Sequence, residues 1–175
     1  KLTAFGTMKE NIAAQFKIFS NKHTWALTLL YIVTFGSFIG FSMALPLAIT
    51  VIFGISHVPD ASGVMQHTLK NPNAPSALTF AWIGPFVGAG VRPIGGWIAD
   101  KVGGSIVTQV ISAVMVIASV AVGYVMLLAY QSATPEQYFL PFMALFVLLF
   151  TASGVGNGST FRTIGVLFDR QQAGP

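Results

Sequence analysis

The sequence has no cysteine and few charged residues. Only 8% of its 175 residues are charged, against about 25% in an average soluble domain. The missing cysteines exclude disulfides and thiolate metal sites from this sequence. The scarcity of charge, with 54% hydrophobic residues and a mean hydropathy of +0.72, places the chain in the membrane class. The net charge of +4 comes from few side chains, so it does not indicate nucleic-acid binding.

Four stretches are long and apolar enough to cross a lipid bilayer, which takes about 20 residues per helix. We predict an all-α integral membrane protein with transmembrane helices at residues 24–54, 76–99, 105–130 and 138–168. Pro46 is expected to bend the first helix. The fourth would be about 46 Å long at about 1.5 Å per residue. It should therefore either project from the membrane or break near glycines 154 to 158.

Basic residues between the predicted helices indicate orientation. Segments 1–23, 100–104 and 169–175 carry Lys1, Lys9, Lys17, Lys22, Lys101 and Arg170. Loop 55–75 carries only Lys70, and loop 131–137 carries no Lys or Arg. The positive-inside rule then places both ends of the chain and link 100–104 in the cytoplasm. The two loops would be periplasmic, and the chain would lie in the inner membrane.

Apolar residues also recur at helical spacing before the first helix, between lysines. They are Met8, Ile12, Phe16 and Phe19. This pattern fits a short helix lying in the membrane interface. It fits equally well a linker that happens to be amphipathic.

Arg92 is the unusual residue of the second helix. It lies eight residues before Asp100, about 12 Å from the cytoplasmic end at helical rise. A charge at the centre of a membrane helix costs about 2.5–3.5 kcal/mol. Gly84, Gly88 and Gly96 share its helix face at steps of four, and small residues let another helix approach closely. We therefore expect Arg92 to face protein or a cavity and not lipid.

A planar guanidinium with five donors suits a small planar anion. The alternative is that Arg92 pairs with a carboxylate of the protein. No Asp or Glu lies within the predicted helices; the acidic residues are Glu10, Asp60, Asp100, Glu136 and Asp169. The partner would then be a loop or terminal acid, a segment outside this sequence, or a ligand, and intramembrane charges favour the ligand.

Two other helices carry candidate residues at similar depth. Tyr31 and Phe35 are four apart and share a face of the first helix, and nearby Phe38 is interpreted as packing. In the fourth helix, GVGNGSTF places Asn157 and Ser159 among Gly154, Gly156 and Gly158. These polar groups, with Thr160, could bind a ligand or join helices. Arg162 could line the cavity or lie at its cytoplasmic mouth.

Histidines fall outside all four predicted helices, at His23, His57 and His67. Their positions argue against a proton relay within these helices. With no HExxH motif, they also argue against a zinc protease or a Ser–His hydrolase. We therefore expect no catalytic residue, metal site or cofactor in this region.

Together these residues resemble the nitrate/nitrite porters of NarK type, in the major facilitator superfamily. GGWIADKVGG is similar to the superfamily loop motif Gly-x-x-x-Asp-Arg/Lys-x-Gly, matched at Gly96, Asp100, Lys101 and Gly103, although the basic pair that ends the full motif is absent. YIVTFGSFIGFS, GPFVGAGVRPIGGW and GVGNGSTF resemble the family's seventh, eighth and tenth helices. The resemblance covers nearly the whole chain.

This resemblance implies a twelve-helix transporter with one central anion site, of which this sequence holds helices seven to ten. The six-helix N-terminal half, with a second anion-binding arginine, and the last two helices would be missing. Arg92, Tyr31 and Phe35 match the family residues that contact nitrate or nitrite. The implied activity is nitrate/nitrite antiport or proton-coupled nitrate uptake. Asp100 and Lys101 would contact the other half or a helix end.

Three other functions remain open from the sequence. The chain could come from a major facilitator transporter of another anion or of a drug. It could be a membrane enzyme, which the missing histidines and carboxylates disfavour. It could also be a membrane assembly subunit that transports nothing, in which case Arg92 should be paired to protein with no cavity beside it.

Overall fold

The computed structural model describes Ile12 and residues 16–173; the side chains of residues 17, 18, 23, 65, 68, 69 and 167–173 lie outside that description. Most of the predicted interfacial segment, including Met8, therefore lies outside the described residues. At its end, Lys17–Ser20 forms a 3-10 turn. Phe19 and Trp25 are in ring contact at 6.0 Å, and the Trp25 indole donates a 2.9 Å hydrogen bond to the Phe19 carbonyl.

In the part of the chain that the structure describes, four helical spans are long and apolar enough to cross a membrane: Thr24–Phe53, Ala77–Val102, Gly104–Tyr130 and Pro135–Val166. The predicted all-α membrane fold with four transmembrane helices is confirmed. We call them the first to fourth spans. Half of the fourth span's most apolar window is buried, against 11 to 22% for the others. It is therefore the central helix, on which the other three pack.

The first span is not regular. It consists of α-helices Lys22–Tyr31 and Ser37–Ala48, each followed by a π-helical turn, Ile32–Gly36 and Ile49–Phe53. Pro46 lies inside the second α-helix, and proline cannot supply a backbone donor. The Thr50 hydroxyl donates to the Pro46 carbonyl at 2.8 Å. The irregularity expected near Pro46 thus takes the form of the second π-helical turn.

A β-hairpin occupies much of the predicted loop 55–75. Strands β1, Ile55–Pro59, and β2, Met65–Lys70, pair antiparallel. Asp60 starts the turn, since its Oδ1 accepts the backbone N–H of Ser62 at 2.8 Å and of Val64 at 3.0 Å. Gly63 completes it with φ 82°, a conformation that glycine adopts without strain. The hairpin adds a structured cap to one end of the bundle.

The second span is divided into helices Ala77–Phe80, Ile83–Gly90 and Arg92–Val102. The last break precedes Arg92, and Pro93 lies in the first turn of the following helix, where its missing N–H costs little. The predicted link 100–104 is wrong in extent, because Asp100 and Lys101 remain helical. Gly103 alone makes the turn, with φ 97°.

The third and fourth spans are the regular ones. The third is a single α-helix, Gly104–Tyr130. The fourth begins with the 3-10 turn Pro135–Tyr138 and continues as helix Phe139–Ala173, 35 residues without a break. At about 1.5 Å per residue this helix is about 52 Å long, well beyond the roughly 30 Å hydrocarbon core. Of the two alternatives, the helix projects and does not break at its glycines.

Aromatic and aliphatic side chains fill the centre of the bundle. Phe53, Phe142 and Phe150 are fully buried, and Phe53 and Phe142 lie 4.9 Å apart between ring centroids. Large apolar residues also cover the outside, such as Met43 at 72% and Leu140 at 79% exposure. Such exposed surface requires a bilayer or further helices around it.

Candidate functional site

The Arg92 guanidinium lies against aromatic rings. Its carbon is 4.6 Å from the ring centroid of Phe38 and 5.3 Å from that of Phe35. The Arg92 Nε is buried and makes no hydrogen bond. Within residues 16–166, whose acidic side chains are described, the salt bridge joins Asp100 to Arg162 and not to Arg92. No described carboxylate therefore neutralises Arg92.

A cavity of about 660 Å³ opens beside this guanidinium. The first, second and fourth spans contribute its wall, which is lined by Tyr31, Phe35, Arg92, Pro93, Gly96, Asn157, Gly158, Phe161 and Arg162. Four of the five residues predicted to bind substrate therefore meet around one cavity. Among the described residues that line it, the two arginines are the only charged ones, so the cavity is suited to a negatively charged solute.

A second cavity of about 440 Å³ lies between the first, third and fourth spans. Its wall contains leucines and uncharged polar residues such as Gln109 and Ser112. None of the described residues in this wall carries a charge that could balance an anion. The chemistry of recognition therefore points to the Arg92 cavity.

Asn157 is the most buried polar group of the cavity wall. The residue is 2% exposed, and its Oδ1 has no hydrogen-bond partner. Leaving such a group unpaired costs about 1–3 kcal/mol. A half-turn of the amide would present its NH₂ at the same point. A solute or water bound beside Arg92 could satisfy this amide.

Aromatic rings form a row along the first span. Tyr31 stacks on Phe35 at 5.3 Å, and Phe35 is parallel to Phe38 at 6.3 Å. The edge of Phe161 meets Tyr31 at 5.6 Å. The interpretation of Phe38 as a packing residue is incomplete. Its ring packs against Phe150 at 5.5 Å, and it also contacts the Arg92 guanidinium. The sequence signal was present in the spacing of 35 and 38, three residues apart on one face.

The first π-helical turn is held in place by hydrogen bonds. Thr34 is fully buried, and its hydroxyl donates to the Leu30 carbonyl at 3.0 Å. The Ser153 hydroxyl of the fourth span donates to the Thr34 carbonyl at 2.6 Å. Single π turns recur at functional sites. Here the turn fixes the direction of Phe35 next to Arg92.

Glycines allow the second and fourth spans to touch backbone to backbone. A Cβ at Gly154 would collide with the Gly88 carbonyl, and one at Gly158 with the Arg92 carbonyl. A Cβ at Gly95 would collide with the Val155 carbonyl. We call these contacts the glycine seam. The seam places Arg92 directly against the helix that carries Asn157.

Other predicted glycines have different neighbours. Gly84 faces the Phe150 ring, and Gly156 faces methyl groups of Thr34 and Ile111 at 3.0 Å. A Cβ at Gly96 would lie 3.7 Å from the Gly158 carbonyl, an ordinary contact. Gly95, and not Gly96, makes the close contact with the fourth span. Gly95 lies seven residues after Gly88, almost two full helical turns, so it faces the same direction as Gly88, whereas the eight residues to Gly96 exceed two turns. Gly96 instead lines the cavity.

Ser159 does not reach the cavity. It is fully buried, and its hydroxyl donates to the Gly104 carbonyl at 3.0 Å and lies 3.0 Å from the Thr108 hydroxyl. Thr160 donates to the Gly156 carbonyl at 2.8 Å in its own helix. Ser159 therefore joins the third and fourth spans and is absent from the cavity wall. That it binds substrate stays a prediction.

The loop-motif residues lie at one end of the cavity. Asp100 pairs with Arg162, and Lys101 Nζ lies 3.8 Å from the Trp97 ring centroid. Asp100 thus contacts the fourth span of the same chain. The side chains of Arg162 and Asp100 are 56% and 47% exposed. This ion pair joins the second span to the fourth, and its arginine also lines the cavity.

Comparison with known proteins agrees with the resemblance seen in the sequence. No protein-family model matches the chain. The probable nitrate/nitrite antiporter NarK2 of Thermus thermophilus is 40% identical over 167 residues, which is 95% of this chain and 33% of the relative. The nitrate/nitrite transporter NarU of Escherichia coli is 36% identical over 160 residues, 91% of this chain and 29% of the relative. The predicted resemblance to NarK-type porters is confirmed.

A third relative of this chain is more distant. The nitrite extrusion protein of Bacillus subtilis is 26% identical over 165 residues, 94% of this chain and 35% of the relative. The chain spans about a third of the length of the curated relatives it matches. The 167-residue match leaves eight residues of the chain outside it, so the cavity residues fall within the region of similarity. With four helices long and apolar enough to cross a membrane, and with transporters as its relatives, the chain is a multi-pass membrane protein.

Proposed function

We propose that this chain is part of a secondary transporter that carries nitrate or nitrite across the inner membrane by alternating access. The observation that supports it most is Arg92, a guanidinium at depth with a buried, unpaired Nε and a cavity beside it. The named activities of the relatives support the choice of nitrate and nitrite. An assembly subunit without substrate would not need such a cavity.

Arg92 would be the receptor for the anion. A charge at this depth is poorly screened, so opposite charges attract more strongly than in water. Nitrate is planar, and a forked guanidinium can donate two parallel hydrogen bonds to two of its oxygens. Contacts to Phe35 and Phe38 hold the guanidinium plane in position.

The remaining wall would select for size and shape. Tyr31 supplies a phenol hydroxyl and Asn157 an amide, while the rings of Phe35 and Phe161 restrict the space around them. Arg162 lies at the Asp100 end of the cavity and would meet an anion entering from that end before Arg92 does. We place this end in the cytoplasm, because Lys101 and the lysines before the first span lie on the same side.

Transport would require the parts of the protein that this chain does not contain. The relatives are about three times longer, which supports further helices, including a second half with its own arginine. The two halves would rock around the midplane site. The glycine seam would keep the second and fourth spans together as one body during that motion.

Replacement of Arg92 by lysine in the full-length protein tests this proposal. Lysine keeps the charge but loses the forked contact, so nitrate uptake into proteoliposomes should fall at least about tenfold, equivalent to about 1.4 kcal/mol. Arg170→Lys is the matched control beyond the spans and should transport as the wild type does. Normal uptake by Arg92→Lys would refute the role of Arg92, and absence of nitrate or nitrite uptake by the wild type would refute the proposed substrate.

A further inference from the structure

Two histidines meet at the hairpin end of the bundle, opposite the end that holds Asp100. His57 of β1 is fully buried. Its Nδ1 lies 2.6 Å from the Nδ1 of His67 in β2. Tyr130, at the end of the third span, stacks on His67 with 4.1 Å between ring centroids and lies 5.0 Å from His57. The anion site uses none of these residues.

The hydrogen bonds determine where the protons lie. His57 Nε2 is 2.9 Å from the carbonyl oxygen of Ile52. A carbonyl only accepts, so His57 Nε2 carries a hydrogen. In neutral His57 the Nδ1 is then an acceptor, and His67 Nδ1–H must be the donor between the rings.

Counting protons shows how this pair responds to acid. A first added proton binds His67 Nε2 and leaves the bond between the rings intact, now donated by a cation and therefore stronger. A second added proton can only bind His57 Nδ1. Two N–H groups would then face each other, and two positive rings would repel. The pair therefore tolerates one added proton and separates on the second.

The pair fastens the hairpin to the spans. His57 satisfies the Ile52 carbonyl at the end of the first span, where helix carbonyls lack backbone donors. Next to it, Asn71 Nδ2 donates to the Phe53 carbonyl at 3.0 Å and to Glu136 Oε2 at 3.1 Å. Residues 71–76 then lead directly into the second span, which carries Arg92. Separation of the histidines would therefore loosen the connection between the first and second spans.

Few other titratable groups lie on the elements around the pair. β1 and the turn Ile49–Phe53 have no further titratable side chain. The further titratable groups are Lys70 of β2, Tyr124 and Tyr130 of the third span, Glu136 and Tyr138 of the 3-10 turn that begins the fourth span, and Asp60 of the hairpin turn. The hydroxyl of Ser62, above all, lowers the pKa of Asp60 from 3.8 to about 2. The Asp60 turn therefore keeps its hydrogen bonds at pH values where histidine takes up protons.

We propose that His57 and His67 are an acid-sensitive fastening of the hairpin, closed with up to one added proton and released by a second. The release would act on the link between the first and second spans from the side opposite Asp100. This inference is independent of which anion the protein carries.

Electron paramagnetic resonance of the full-length protein in nanodiscs would test the fastening. A spin label on Ala61→Cys, at the exposed hairpin tip, reports the mobility of the hairpin between pH 8 and pH 4.5. We expect the mobile fraction to rise severalfold on acidification. In His67→Gln the rise should be lost, because the glutamine amide can still donate to His57 Nδ1 but cannot take up a proton. An unchanged spectrum in the wild-type background, or a full rise in His67→Gln, would overturn the inference.

Two control variants separate this pair from other titrating groups. His23→Gln, at the opposite end of the first span, should retain the wild-type response. Glu136→Gln should also retain it; loss of the response there would assign the transition to that carboxyl and reject the histidine pair. If His67→Gln does not fold, nitrogen-15 NMR of histidine-labelled wild type decides. A coupling between the two Nδ1 atoms at pH 8 that disappears in acid supports the proposal, and its absence at pH 8 rejects it.

Discussion

Among single residues, Asn157 separates binding from folding most clearly. Its amide is buried with an unpaired oxygen, an arrangement that lowers stability unless a bound molecule satisfies it. Asn157→Leu keeps the branched shape and the number of side-chain heavy atoms and removes the unpaired group. We expect the variant to be as stable as the wild type or more so, by about 1 kcal/mol, and to bind nitrate more weakly.

Thermal unfolding and nitrate binding, measured on the same full-length samples, check both parts. Ala144→Leu, an exposed position of the same span, is a control that should leave nitrate binding unchanged. A variant that unfolds earlier while binding nitrate normally would mean that Asn157 is purely structural.

For single residues, the sequence was a better guide to which residues could belong to the site than to the direction in which each side chain points. Arg92, Tyr31, Phe35 and Asn157 meet as expected. Ser159 does not, and the reason was available: residues two apart on a helix point in very different directions, so 157 and 159 could not both line one cavity. The spacing of residues along a helix gives only the directions of their side chains relative to one another. Which face of the helix meets the cavity depends on how the neighbouring helices pack, and residue spacing does not show that.

Among the elements, the contact of the second and fourth spans depends on the absence of side chains. A methyl group at Gly154 would collide with the Gly88 carbonyl. A side chain could relieve such a collision by changing its rotamer, but a backbone carbonyl cannot. Gly154→Ala should therefore destabilise the protein by about 1–3 kcal/mol, as overpacked cores do. Unfolding of the variant in detergent, followed by circular dichroism, measures the effect.

Gly123→Ala in the third span is the matched control. Nothing lies within 4 Å of a Cβ at Gly123, and alanine favours a helix over glycine by up to about 1 kcal/mol. This variant should be as stable as the wild type or slightly more so. Equal losses in the two variants would show that the seam has no special role.

The elements most difficult to predict were those that depend on local backbone geometry. The hairpin was assigned to a loop, although Asp60, Ser62 and Gly63 are typical turn residues between two short strands. The break of the fourth span was left open because glycine weakens a helix in water. Packing against neighbouring spans removes that weakness, since close approach requires those glycines. Long apolar runs, by contrast, identified all four spans.

For the whole molecule, the pair of Asp100 and Arg162 should affect conformation more than stability. Both side chains are about half exposed, and exposed ion pairs contribute at most about 1 kcal/mol to folding. The same energy is enough to shift the Arg162 side chain between a paired and a released position about fivefold. Asp100→Asn should therefore leave the unfolding temperature nearly unchanged and free Arg162 to swing away from the cavity wall, which opens the cavity more often.

Thiol labelling from the Asp100 side measures this opening. A cysteine at Gly96 lines the cavity without a collision, and this chain has no cysteine of its own. We expect labelling by a membrane-impermeant reagent to be severalfold faster in Asp100→Asn, and the difference to shrink at high salt. Glu136→Gln, at the opposite end, is the control. Equal labelling rates would exclude the ion pair as a closing contact.

The glycine seam also limits how this protein can change over time. A clash with a side chain can be relieved by a shorter residue opposite, so two positions can vary together. At Gly154 and Gly158 the opposing atom is a carbonyl oxygen, which every residue type possesses. No substitution across the seam can make room there, and a larger residue could survive only if the two helices moved apart, which would also separate Arg92 from Asn157.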